Sequence, residues 1–227
     1  MSFKEFTKEL NGKRVEGELV KTFILSLVVA FITFALIYFL FLKNNGSFNN
    51  AYIFYIFFSI ISFAFIVPTI RQVRAYKEFA CMSGMMIGMT SGMISGFLIG
   101  FYLGATNGMF IGSFAGIIVG IIIGTTLGLC CGIMGYLEGI MAGFMGGLMG
   151  AMTSVMMIND NLKIATILIS IVSYSILLGL NYMIYFEMKE NVSQKKEDNF
   201  LTVILTFILV VVAILIMVFG PRGPIHV

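Results

Sequence analysis

The sequence predicts an all-α fold: a polytopic integral membrane helical bundle of about seven transmembrane helices, with the N-terminus inside and the C-terminus outside. Three observations predict it. First, 59% of the 227 residues are hydrophobic and only 11% are charged, with a mean hydropathy of +1.01. Soluble domains carry about 25% charged residues, so the solvent here is the bilayer. Second, the apolar runs are each about 20 residues long, the length that crosses a hydrocarbon core. Third, the basic residues alternate sides when the runs are counted as seven. Eleven of the 14 Lys and Arg fall in the inner segments and three (Lys43, Lys163 and Arg222) in the outer ones, as the positive-inside rule requires.

The spans follow in order. Residues 1–20 are charged throughout and lack an apolar signal core, so they read as a cytoplasmic tail rather than a signal peptide. Phe3, Phe6 and Leu10 could give it one interfacial helix face. Residues 21–78 hold the first two spans, at 22–42 and 51–70. They are separated by the polar turn NNGSFNN, and Pro68 lies in the last turn of the second, where a kink costs little. Between Glu78 and Glu138 there is no charge at all. As one helix that stretch would reach about 88 Å, nearly three bilayer thicknesses, so it folds back. Turns at Ala105–Gly108 and near Cys131–Gly135 divide residues 79–158 into spans at 79–104, 109–131 and 134–158. Residues 159–219 hold spans at 163–186 and 200–219, and 220–227 form an outer tail.

The three central spans differ in kind from the others. Nineteen of the 25 glycines lie between residues 84 and 150. Gly84, Gly88, Gly92, Gly96, Gly100, Gly104, Gly108, Gly112, Gly116, Gly120, Gly124, Gly128 and Gly132 keep a strict four-residue spacing. A second register follows at Gly135, Gly139, Gly143 and Gly147. In lipid, helices associate by close backbone contact, and rows of small residues permit it. A step of four residues advances 400°, so the row drifts by about 40° per glycine, which suits right-handed crossings. The expectation is a tight inner bundle of spans 3, 4 and 5, wrapped by the Phe/Ile/Leu-rich spans 1, 2, 6 and 7. The glycines either line a narrow pathway or a moving interface, or serve static packing and homo-oligomerisation.

Methionines follow their own pattern. Met82, Met86, Met89 and Met93 step by 4, 3 and 4, and so do Met145, Met149, Met152 and Met156, which puts each set on one helix face. The two segments align at an offset of 63. Residues 84–93 (GMMIGMTSGM) and 147–156 (GLMGAMTSVM) share six of ten positions, which suggests an internal repeat. The repeats start at different heights, so they are either a low-complexity coincidence or two stripes that join end to end. A thioether is a neutral soft ligand that takes Cu(I) or Ag(I) without deprotonation. It is equally a flexible apolar filler beside glycine.

Met82/Met86, Met85/Met89 and Met89/Met93, together with the glycine ladder, resemble the membrane core of the Ctr-type copper transporters, over residues 82–157. That family has three spans, forms trimers and carries a Met-rich tail before its first span. This chain has about seven spans and no such tail. Residues 81–157 also resemble uncharacterised bacterial Gly/Met-rich membrane proteins, some of which are associated with copper-binding cupredoxin domains. The doubled thioether stripe, with thiols at one end, leads to the expectation of a plasma-membrane protein that binds, transports or senses Cu(I), with Met82, Met86, Met89, Met93, Met145, Met149, Met152 and Met156 as transient ligands.

Cys81, Cys130 and Cys131 fall at the inner ends of spans 3 and 4. There they would be reduced and could add a soft-metal site at the inner mouth; they serve equally as small apolar residues at helix ends. Glu138, at the start of span 5, is either a functional intramembrane acid or a favourable charge near a helix N-terminus. Asn181 in span 6 is interhelical glue or pathway lining, and His226 sits in the outer tail. No phosphate-binding loop, zinc motif or nucleophile elbow is present, no basic run suits nucleic acid, and no acids pair within a span. The expectation is a non-enzyme in the lipid bilayer, with Cu(I) as its one candidate cofactor or cargo. The alternatives are a structural or interaction subunit with a homo-oligomeric or other membrane partner, and a small-molecule channel or immunity protein.

Overall fold

A computed structural model describes residues 15–39, 50–76, 79, 81–129, 132–188 and 199–220. Among them there are seven α-helices and no strand: α1 Val15–Ile37, α2 Asn50–Ala75, α3 Cys81–Asn107, α4 Met109–Gly128, α5 Gly132–Met156, α6 Leu162–Met188 and α7 Asn199–Phe219. Six are long and apolar enough to cross a membrane, and α7 adds a shorter apolar stretch, Thr202–Val218. The proposed interfacial face at Phe3, Phe6 and Leu10 lies outside the described residues, as do Cys130, Cys131 and His226.

The turns are tighter than expected. α3 runs through Asn107, and the reversal falls on Gly108 alone, at φ 101°. That is a left-handed backbone which glycine adopts freely. The Gly108 N–H donates to the Gly104 carbonyl at 3.1 Å, the Thr106 hydroxyl donates to the Tyr102 carbonyl at 3.1 Å, and Asn107 donates across to the Ile216 carbonyl of α7 at 2.9 Å. α4 ends at Gly128 and α5 already begins at Gly132, slightly ahead of the expected turn at Cys131–Gly135, with Gly132 at φ 72°. Two rungs of the glycine ladder are therefore its turns.

Arg71 and Arg74, expected after span 2, are helical rather than in a loop. α2 continues seven residues past Pro68 to Ala75, and Arg71 is buried. Pro68 has no N–H for the carbonyl of Ala64 four residues back. That carbonyl instead lies 3.4 Å from the Ser26 hydroxyl of α1, which also donates to its own Phe23 carbonyl at 2.9 Å.

The seven helices form two groups. α3, α4 and α5 pack on one another along their lengths, α4 antiparallel to both neighbours. α2 gathers α1, α6 and α7 around itself and joins the trio mainly through α3. The expected wrap of four lipid-facing helices is not what forms. The apolar stretch of α2 is 67% buried, close to the 72% of α3, whereas α1 is 22% buried. α5 packs along its length only against α3 and α4, so the trio sits beside the other four helices rather than inside them. The reason is chemical: Phe and Ile suit lipid and helix neighbours equally, so an apolar sequence does not distinguish a central helix from a peripheral one.

Candidate functional site

Glycine sets the geometry of the trio. A Cβ added at Gly124 would stand 2.6 Å from the Gly139 carbonyl oxygen, at Gly120 2.9 Å from the Gly143 oxygen, and at Gly100 2.6 Å from the Gly147 oxygen. At Gly92 it would stand 2.9 Å from the Gly124 Cα, at Gly96 3.0 Å from the Gly143 oxygen, and at Gly116 2.8 Å from the Gly96 oxygen. Gly88 meets Gly128, and Gly104 meets Gly112 and Ala151. The three rows close on each other backbone to backbone, joined at Gly104 by the Ser154 hydroxyl, and leave no room for a larger side chain. Gly84 is buried as well.

This packing fixes the relative height of the two methionine stripes. Gly96 lies against Gly143 and Gly100 against Gly147, so parallel helices α3 and α5 meet at an offset of 47 residues. The sequence repeat has an offset of 63. The 16-residue difference places the repeated segments about 24 Å apart along the bundle. The two stripes thus stand at different heights along the bundle. Met93 marks the junction, with its backbone against Gly146 of α5.

Every stripe methionine faces outward. Met82, Met86, Met89 and Met93 range from 38% to 79% exposed, and Met145, Met149, Met152 and Met156 from 47% to 73%. The glycine row occupies the inner face of each helix, so side chains at the stripe positions project away from the contact. Met134 and Met141 are also exposed on α5. Cys81 is the first residue of α3. Glu138 is half-buried, two turns into α5. Among the described residues no three His, Cys, Asp or Glu groups stand close enough together to hold a metal ion.

Sequence reasoning missed a polar seam between α2, α3 and α6. Tyr102, 1% exposed, shares hydrogen bonds with Ser62 at 3.0 Å and Ser170 at 2.9 Å, and Ser62 shares another with Tyr174 at 2.9 Å. Further along, the Gln72 Nε2 donates to the Asn181 backbone carbonyl at 3.3 Å. At the Arg71 end Ser83 donates to the Glu187 carboxylate at 2.5 Å. Asn181 is thus a contact between α2 and α6, through its backbone oxygen. Its own Oδ1 and the Gln72 Oε1 are buried, and no described residue donates to them. The available signal was periodic: Thr166, Ser170 and Tyr174 recur every turn on one face of α6.

Compared with protein-family models, with curated proteins and with solved structures, the chain matches none.

Proposed function

We propose that this chain is a non-enzymatic interaction subunit of a membrane, a glycine-zipper helix trio that presents its methionine-lined face to a neighbouring protein, either a second copy or another membrane protein. The observation that carries the reading is the placement of α5. It uses its glycine side to pack on α3 and α4 and packs along its length on nothing else, while its other side exposes methionines from Met134 to Met156. Methionine is the most adaptable apolar side chain for a surface that must fit a partner. The charge distribution supports N-inside, C-outside insertion in a bacterial-type plasma membrane.

Photocrosslinkers at Met145, Met149 and Met152, with Ile24 and Ile208 as controls on other exposed faces, test this reading in native membranes. Protein adducts from the α5 positions and none from the controls are expected. Lipid adducts alone at all five positions would sink it.

A second reading, the carriage or sensing of Cu(I), draws support from eight thioethers at 4, 3, 4 spacing, all accessible. Their heights would let one set hand a soft cation to the other. On an outward face each stripe offers few ligands, so a facing copy would complete the coordination. Cys81, Cys130 and Cys131 would then act at the Arg71 end. Ag(I) binding in detergent and uptake into proteoliposomes test it. If replacing all eight methionines with leucine leaves both unchanged in a folded protein, the reading is wrong.

A further inference from the structure

α4 and α7 do not pack against each other, and a groove of about 310 Å³ runs between them, floored by Phe63 of α2 with Ile99 and Leu103 of α3. Its walls include Val119 and Ile122 from α4 and Val212 from α7, and every lining side chain is a hydrocarbon. Along α7 the lining extends from Leu205 to Ile216, eleven steps or about 16 Å. It begins about 6 Å below the end of the bundle marked by Asn107 and stops about 22 Å below it, counted along α3 and α7. One leaflet of the hydrocarbon core is about 15 Å thick. The groove therefore spans one leaflet, from just under its interface to the midplane.

Three properties select the occupant. A peptide in extended form has no partner here for its N–H and C=O groups, which membrane depth does not forgive. A helix 10–12 Å across would need on the order of 1,300 Å³ over that length, more than the roughly 870 Å³ of empty space between the walls even with its open side counted. An empty apolar gap of this size forfeits contacts along all its walls. We propose that the groove holds one acyl chain of a lipid from the leaflet at the Asn107 end, seated between the two helix groups rather than in the exchanging lipid shell.

The absence of tryptophan from the chain makes a single introduced one a clean reporter. Ile122→Trp stands at the groove and Ile133→Trp, on α5, stands away from it. Each is reconstituted with phosphatidylcholine brominated on its acyl chains, then extracted and washed in detergent. Retained quenching is expected at Ile122→Trp and complete recovery at Ile133→Trp. Filling the groove with Val212→Phe, or with Ala213→Leu should the first variant not fold, is expected to abolish the retained quenching. Native mass spectrometry of the parent protein should show one lipid that the filled variant loses. Equal recovery at both reporters, retained quenching in a folded filled variant, or a mass of two chains with no lipid overturns the proposal.

Discussion

At the scale of single residues, the glycines divide into those that a methyl group would displace and those it would help. Alanine is better than glycine in a helix by about 1 kcal/mol, but overpacking a closed contact costs about 1–3 kcal/mol. At Gly124 the added carbon would lie 2.6 Å from a backbone oxygen, and backbone cannot swing aside. Gly124→Ala is expected to destabilise the bundle by about 1 kcal/mol or more, the packing cost outweighing the gain. At Gly179 of α6 nothing lies within 4 Å of the same carbon, so Gly179→Ala should stabilise by about 0.5–1 kcal/mol. Thermal unfolding in one detergent compares the two, and equal shifts would refute the packing account. Tyr102→Phe makes a second contrast. It removes two hydrogen bonds, yet Ser62 still donates to Phe58 at 2.8 Å and Ser170 to Thr166 at 2.6 Å. No serine is stranded, and hydrogen bonds between membrane helices average about 0.6 kcal/mol, so the expected loss is about 1 kcal/mol. A loss of several would mean the hub does more than join helices.

At the scale of helices, the outward direction of the stripes has a measurable corollary. Leu and Met are close in volume, and even Met93, which lines the cleft between α3 and α6, is more than a third exposed, so each substitution should stay within about 0.5 kcal/mol. The eight-leucine protein is therefore expected to keep its helicity and unfold near the parent temperature, which makes it a fair control for metal binding; collapse of the fold would place the stripes inside. The sequence makes these helices legible because charge and glycine punctuate them: the seven helices lie within a few residues of their expected positions except where helix runs on through charge. α1 begins at Val15, among Glu16, Glu18 and Lys21, and α2 carries Arg71 and Arg74 before it ends. A charge near a membrane boundary reads as the end of a span, although a helix loses little by continuing into the interface, and Arg71 there is buried within the bundle. Which helices are central is not written in this way. Nor is the outward aim of the methionines, because a soft ligand and a lipid-facing filler are the same residue.

At the scale of the molecule, the two groups of helices are held by different means. The α2 group is built from interdigitating aromatic and aliphatic side chains, such as the stacked pair Phe65 and Tyr174 with ring centroids 4.5 Å apart. In the trio, the contact along the glycine rows is backbone on backbone. A contact of that kind repeats itself: moving α5 by four residues, about 6 Å, brings each glycine opposite the next and restores most of the same contacts. The interface alone thus has several nearly equivalent stopping places, like a ratchet with evenly cut teeth. The choice among them falls to the connections, one residue at Gly108 and three at positions 129–131. Lengthening the second connection by four glycines should release that choice. Cysteine pairs placed at the observed and the one-step-shifted heights of α3 and α5, in a chain freed of Cys81, Cys130 and Cys131, would then both form disulfides, whereas the parent connection would yield only the first. If the extended chain still forms only the first, side-chain contacts beyond the glycines set the register. On the present geometry, the shortest pieces of the chain decide where its longest contact comes to rest.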